Sequence, residues 1–283
     1  MSRVAVTGAS GLLGRALVNA FRGAGHEVIP LTHAHVDLLN QPSLARITEA
    51  NPDIVVNAAA WTDVDGCALD PERAMRINGD GAGLVAEAAA RAGALAVQVS
   101  TNEVFDGKRQ APYEEDDLPN PINPYGASKL AGERAVADAT DRHLVIRTAW
   151  LFDDGRGFPA KIRAAAERAI IAGEPLRVVE DEWGNPTPVE PLANAIMGAT
   201  RMATPAEHPN ILHLAGEPPT SRLGWAQVIL ADVPVQLQPV KQAAYSRPSR
   251  VPAQAVLGTR RAHALGLPPI AWQSTTSATE ARP

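Results

Sequence analysis

The sequence predicts an α/β fold, a doubly wound parallel sheet with helices on both faces and a smaller, discontinuous α/β region attached to it. Three observations carry that expectation. Short apolar runs alternate with stretches of helical periodicity from residue 3 to residue 148, a rhythm that leaves the strands parallel and covered on both sides. Glycines fall at positions 8, 11 and 14, directly after the first run. Beyond Trp150 the texture changes, with proline and glycine dense over 155–159, 173–175 and 184–191.

Taken in order, residues 3–7 form the first strand, 12–23 the first helix and 26–31 the second strand, a strand-helix-strand unit. The pattern repeats as a helix over 44–50, a strand over 54–57, a long helix over 71–92 and a strand over 94–100. The alanine-rich stretch 84–99 is interrupted by Glu87, Arg91 and Gln98, which suits an amphipathic helix leading into a strand rather than a bilayer span. Pro121 and Pro124 open a helix over 125–139, and 144–148 is the next strand. In the changed region the proline and glycine clusters read as loops over a site, 210–215 as a strand, 223–231 as a helix and 274–283 as a frayed end. The expected division gives a first domain over 1–152 plus 189–217 and a second over 153–188 plus 218–283.

With 283 residues, 45% hydrophobic and 20% charged, the chain has enough apolar material for a full core. Thirty-one acidic residues against 26 basic give a net charge of −5, which argues against nucleic-acid binding, usually marked by a basic surplus on one face. Cys67 is the only cysteine, so there is no internal disulfide and a reducing cytoplasm is the simplest setting. The opening Met-Ser-Arg lacks the charged-then-apolar order of a secretory signal, and no apolar run is long enough for a membrane span.

Gly8, Gly11 and Gly14 stand where a strand turns into a helix. Backbone amides and the positive end of the helix dipole there can face a pyrophosphate that a side chain would block. Their spacing is Gly-x-x-Gly-x-x-Gly, not the Gly-x-Gly-x-x-Gly of many dinucleotide folds, and glycines also close such turns without any ligand. The second strand runs out in Pro30-Leu31-Thr32-His33, without the acid that NAD-specific folds place on the adenosine ribose. Its absence removes the repulsion a 2′-phosphate would meet and permits NADPH. Arg15 reads equally as an added attraction and as a solvated helix arginine. Asp37 reads equally as a group that holds an adenine amino group and as a cap for the segment after it.

Tyr125 and Lys129 fall at i and i+4 on one helix face, in a chain with only three tyrosines and four lysines. An ammonium beside a phenol favours the phenolate and brings its pKa down toward working pH, as suits a proton donor to an alkoxide. The helix follows a strand ending Val99-Ser100-Thr101, whose hydroxyl can reach the same oxygen.

Those residues in that order resemble the extended short-chain dehydrogenase/reductases, and the chain from about residue 3 to 272 resembles one branch, the dTDP-4-dehydrorhamnose reductases. Beyond the glycine loop, the shared motifs include Asn57-Ala58-Ala59-Ala60-Trp61-Thr62-Asp63-Val64-Asp65, Ser100-Thr101-Asn102-Glu103-Val104-Phe105-Asp106-Gly107 and Asn123-Pro124-Tyr125-Gly126-Ala127-Ser128-Lys129. Arg147-Thr148-Ala149-Trp150, Gly184-Asn185-Pro186-Thr187, His213-Leu214-Ala215-Gly216 and Ser221-Arg222 continue it.

The resemblance implies a Rossmann-type NAD(P)-binding domain with a small sugar-nucleotide domain. The implied reaction is NAD(P)H-dependent reduction of the 4-keto group of a dTDP-4-dehydro-6-deoxyhexose, most simply dTDP-4-dehydro-L-rhamnose to dTDP-L-rhamnose. Thr101, Tyr125 and Lys129 take the catalytic positions. Gly8, Ser10, Gly11, Leu12, Leu13, Gly14, Asp37, Leu38, Ala58, Ala59, Ala60 and Asn78, with Tyr125 and Lys129, take the cofactor positions, and Asn102, Glu103, Phe105, Trp150 and Arg222 the substrate positions. Trp150 reads as well as core filler, and Arg222, Arg247 and Arg250 are candidates for the diphosphate. NADPH is the implied cofactor with NADH as the variant, some relatives use Mg2+, and a cytoplasmic homodimer is implied. No dense acidic cluster has metal-ligand spacing: the run 114–117 reads as a solvated turn, and His33 and His35 as solvated loop residues.

The chain departs from this pattern where the family has Asp-Tyr after the threonine and this sequence has Asn102-Glu103. That moves the segment toward the Thr-Asp-Glu of nucleotide-sugar dehydratases, although Asn102 cannot protonate a leaving group. Gly157-Phe158-Pro159 and Gln254 are further departures. Two alternatives therefore stand beside the reductase: a non-catalytic NADP-binding regulatory subunit, and a dehydratase or epimerase that keeps NAD bound.

Overall fold

The computed structural model describes residues 1–202 and 210–273; the frayed end expected over 274–283 lies outside them. The first half runs β1 (Arg3–Thr7), α1 (Leu12–Gly23), β2 (Glu27–Leu31), α2 (Ala45–Glu49), β3 (Ile54–Asn57), α3 (Val64–Leu69), α4 (Pro71–Ala74), α5 (Gly81–Arg91), β4 (Leu95–Thr101), α6 (Pro124–Ala139) and β5 (His143–Thr148). The second runs β6 (Leu151–Phe152), α7 (Phe158–Ala172), β7 (Leu176–Val179), β8 (Trp183–Gly184), β9 (Thr187–Pro188), α8 (Val189–Met202) and β10 (Ile211–His213). It ends with β11 (Gly216–Glu217), β12 (Thr220–Ser221), α9 (Arg222–Ile229), β13 (Leu237–Val240), α10 (Arg260–Ala264) and β14 (Ile270–Ala271).

Six strands form one parallel sheet in the order β10-β5-β4-β3-β1-β2. From β1 the chain steps outward to β2 and then returns to β3 on the other side of β1. That reversal leaves a crevice at the carboxyl ends of the strands, where ligands of doubly wound sheets sit. The strands read as nearly continuous apolar runs because both faces are covered. On one face Val4, Val6, Val56, Val97 and Ile146 pack against Leu17 and Phe21 of α1 and Leu192 and Ile196 of α8. On the other, Ala5, Val55 and Ala96 meet Val85 and Ala88 of α5 and Val136 of α6. A third cluster gathers Phe152, Ile162, Val178 and Trp272 around the fully buried Trp225 of α9.

The long helix expected over 71–92 forms, but not as one regular helix. Met75–Asp80 is wound as a π-helix between α4 and α5. The widened turn carries Asn78, whose amide bonds both the N–H and the carbonyl of Trp61 and donates to Ser128 Oγ. Its carbonyl approaches α6 at Gly132, where a Cβ would stand 2.2 Å from Asn78 O. The helix thus gives up regular winding where one residue ties the chain after β3 to α6. The strand expected over 210–215 is shorter, because after His213 the chain leaves β5 and pairs with β14 instead. Helices α7 and α8 fill stretches that the proline and glycine clusters only bracket. Among the described residues no helix is long and apolar enough to cross a membrane.

Candidate active site

At the cofactor end, β1 passes into a turn at Gly8, whose φ of 66° is in the left-handed region. A Cβ there would lie 2.7 Å from Ala59 N, and a Cβ on Gly14 would lie 2.1 Å from Gly8 O. Packing alone therefore demands both glycines. Gly11 differs: its Cβ would meet only Gly8 O, at 3.1 Å, and the residue lines the central cleft with Leu12 and Leu13. α1 begins with no side-chain cap among the described residues and no acid in its first turn. Its leading amides and dipole are open to an anion, so the turn fits a dinucleotide pyrophosphate.

The remaining cofactor positions divide. Ala58 and Ala60 line the cleft. Ala59 packs against the second core cluster, and Asn78 acts from behind by holding Trp61. The Leu38 side chain is buried in that second cluster against Gly81 and does not line the cleft. Asp37 accepts from Leu39 N at 3.0 Å; the cap of the following 3-10 turn is Asn40, so the capping alternative for Asp37 fails. Ser10 is exposed, and its carbonyl accepts from Arg15 Nη1 at 3.1 Å.

Thr101 closes β4, and its Oγ1 accepts from Glu103 N at 3.2 Å, starting the tight turn Asn102–Val104. Asn123 caps α6 by accepting from Gly126 N at 2.7 Å, with Pro124 in the first helical position. A Cβ on Gly126 would stand 2.0 Å from Glu103 O, so the helix start is pressed onto that turn. One helix turn later Lys129, 3% exposed, donates from Nζ to Val99 O at 2.7 Å. Thr101, Tyr125 and Lys129 thereby line one cleft of about 770 Å³.

The expected lowering of the tyrosine pKa is not what the packing produces. Burial pushes the Tyr125 phenol well above its usual value, the Glu103 carboxylate adds to the rise, and a hydrogen bond with Thr101 opposes it. Burial also brings Lys129 down to about 8, against the pull of Glu133, and its ammonium is engaged by the Val99 carbonyl. A phenol held protonated suits a proton donor, which must keep its proton until a stronger base, an alkoxide, develops beside it.

The substrate positions also divide. Trp150 adopts φ of 46°, unusual for a bulky residue, and lies over Gly184, where a Cβ would come within 2.6 Å of its ring. Its two readings meet, because the ring lines the cleft and also stacks on Trp225 at 5.7 Å. The Arg222 guanidinium sits 3.6 Å over the Trp150 ring and pairs with Glu182 at 2.8 Å. Asn102 lines the cleft, but its Nδ2 donates to Ala255 O at 3.0 Å. Glu103 lines it as well, and burial, reinforced by Glu182, raises its carboxyl to about 7 despite the Asn123 hydrogen bond and two nearby arginines. Phe105 is a correction: fully buried, it stacks on Tyr113 at 4.2 Å under the Arg147 guanidinium and serves the core.

Arg247 reaches the cleft and pairs with Asp65 at 3.0 Å. Arg250 does not line it and contributes its carbonyl to Asn123. Among the lining residues that escape a motif reading are four polar ones, Lys161, Arg177, Glu182 and Tyr245. The signal for the first was the spacing of Phe158, Lys161 and Ile162 on one face of α7. Arg177 and Tyr245 come together only through the pairing of β7 with β13, and the Tyr245 hydroxyl donates to Arg177 O at 2.9 Å. Among the described residues no group of three or more His, Cys, Asp or Glu is placed to hold a metal ion.

A family model described as the RmlD substrate binding domain matches residues 2–282. The dTDP-4-dehydrorhamnose reductase of Burkholderia thailandensis is 38% identical over 273 residues, which cover 90% of this chain and 90% of that protein. Among solved structures, the dTDP-4-dehydrorhamnose reductase of Clostridium acetobutylicum superposes with a TM-score of 0.89 at 30% identity, covering 96% of each chain. That of Bacillus anthracis, in complex with NADP, gives 0.88 at 28% identity, covering 98% of this chain and 97% of the other.

Proposed function

The chain belongs to the dTDP-4-dehydrorhamnose reductase family, and from that premise we propose that it reduces the 4-keto group of a dTDP-4-dehydro-6-deoxyhexose, most simply dTDP-4-dehydro-L-rhamnose, with NADPH. The observation that carries the reading is the convergence of Thr101, Tyr125 and Lys129 on one cleft whose far wall supplies Lys161, Arg177, Arg222 and Arg247.

NADPH, when bound, supplies the hydride. The open amides of α1 and the bare wall at Gly11, Ala58 and Ala60 would hold the dinucleotide, and the end of β2, Pro30-Leu31-Thr32-His33, brings no acid against a 2′-phosphate. Tyr125 gives its phenolic proton to the carbonyl oxygen as that oxygen becomes an alkoxide. Thr101 donates a second hydrogen bond to the same oxygen and so stabilises the developing charge. Lys129, fixed by Val99 O, presents its remaining N–H groups to the nicotinamide ribose. Trp150 and Arg222 flank the sugar, and the basic far wall meets the diphosphate. In this reading the domain over 1–152 plus 189–217 carries the dinucleotide and that over 153–188 plus 218–283 the sugar nucleotide, with Leu267 and Ile270 reaching back into the first core. A reducing cytoplasm accords with Cys67, a buried free thiol.

The test is NADPH absorbance with purified protein and dTDP-4-dehydro-L-rhamnose. The expected result is substrate-dependent oxidation, one NADPH per sugar reduced. Tight NADPH binding without turnover on any keto sugar would favour the regulatory-subunit reading, and redox-neutral turnover by protein that retains NAD would favour the dehydratase.

A further inference from the structure

Glu103 stands in the same cleft as Thr101 and Tyr125 and is locked to the start of α6. Its N–H donates to Thr101 Oγ1 at 3.2 Å. Its carbonyl closes against Gly126, the residue after Tyr125. Its Oε2 accepts from Asn123 Nδ2 at 2.6 Å, and the same Asn123 caps α6. Its Oε1 has no hydrogen-bond partner among the described residues.

The charged and titratable groups around Glu103 come from each element that packs there. Glu182 lies just before β8, Arg222 on α9 and Arg247 after β13. Tyr125 comes from α6 and Cys67 from α3. Neither arginine is spare, since Arg222 holds Glu182 and Arg247 holds Asp65. A carboxyl that is half-buried, tied by one oxygen, free at the other among the described residues and without a cation of its own is placed to hold and release a proton in the cleft that the phenol lines.

We propose that Glu103 is the acid that reloads Tyr125 after each turnover, a role that rests on the reductive reading above. The Tyr125 O–H breaks as its proton passes to the substrate oxygen, which leaves a phenolate. The Glu103 carboxylic O–H then breaks, and its proton passes to the phenolate oxygen directly or through one bridging water. The carboxylate so formed takes a proton from solvent, and nothing is oxidised or reduced in the reloading. The transfer runs downhill because the buried phenolate is much the stronger base, its phenol lying above the usual range while Glu103 titrates at about 7. Glu103 carries its proton below that pH and loses it above, so reloading slows as pH rises through about 7.

Glu103→Gln keeps the shape and an acceptor for Asn123 but has no acidic proton. In rapid mixing with NADPH and dTDP-4-dehydro-L-rhamnose, the variant is expected to oxidise its first equivalent of NADPH within about threefold of the wild-type rate, then to turn over at least about tenfold more slowly. The wild-type fall in kcat above neutral pH should be absent from the variant and present in Glu103→Asp. An unchanged NADPH Kd and thermal midpoint establish that the variant folds. A variant with no burst, one that keeps the wild-type pH profile, or one whose only change is a raised KM would overturn the proposal. Failure of the wild type to oxidise NADPH with this sugar would instead overturn the reductive reading itself.

Discussion

Tyr125→Phe is expected to lower kcat by about 10²–10⁴-fold while changing the NADPH Kd by less than about twofold. Burial keeps the phenol protonated, and its removal leaves the developing alkoxide with only the Thr101 hydroxyl as a donor. The ring remains, and with it the packing of the helix start against the turn at Glu103. Cofactor binding should change little, because the amides of α1 and the Lys129 ammonium are untouched. Steady-state NADPH oxidation and fluorescence titration of NADPH measure the two quantities separately. A fall of less than tenfold would remove Tyr125 from the proton-donor role.

Arg147→Met is expected to destabilise the protein by about 3–5 kcal/mol, the usual cost of stranding one member of a buried ion pair. Arg147 on β5 and Glu133 on α6 meet at 2.8 Å, with side chains 2% and 5% exposed. Glu133 accepts from both Arg147 Nε and Nη2 and also from Ser100. The pair therefore joins α6 to β4 and β5 directly beneath Thr101 and Lys129. Removal of the guanidinium leaves a carboxylate with one hydroxyl partner, whereas the double change Arg147→Met with Glu133→Leu removes both charges and should recover most of the loss. Urea unfolding monitored by circular dichroism gives the values. A single-variant loss under about 1 kcal/mol would show that the pair is not what binds α6 to the sheet.

The parallel sheet was legible because its signals are local. Apolar runs at Arg3–Thr7, Ile54–Asn57 and Leu95–Thr101 alternate with amphipathic stretches, and a strand buried on both faces cannot hide its composition. The meeting of Thr101, Tyr125 and Lys129 in one cleft was legible because they lie on two adjoining elements and carry their own spacing. What stayed hidden depends on contacts far apart in the chain. The π-helical turn at Met75–Asp80 arises from what Asn78 binds, Trp61 and Ser128, and no periodicity announces it. Phe105 and Leu38 belong to motifs but face the core, since a motif reports position along the chain and not the direction of a side chain. The sign of the Tyr125 shift was missed for a related reason. The i, i+4 spacing suggests an ammonium at the phenol, but Lys129 donates to Val99 O, while burial and the neighbouring Glu103 raise the phenol, and none of this is visible in Tyr-Gly-Ala-Ser-Lys.

The most direct test of the central claim follows the hydride itself. Turnover of dTDP-4-dehydro-L-rhamnose with NADPH deuterated at the transferring nicotinamide position, followed by mass spectrometry and NMR of the product, should place one deuterium at C4 of a dTDP-6-deoxyhexose for each NADPH consumed. A product that carries no deuterium at C4, formed while NADPH is unchanged, would contradict the reduction and leave an elimination or epimerisation in its place.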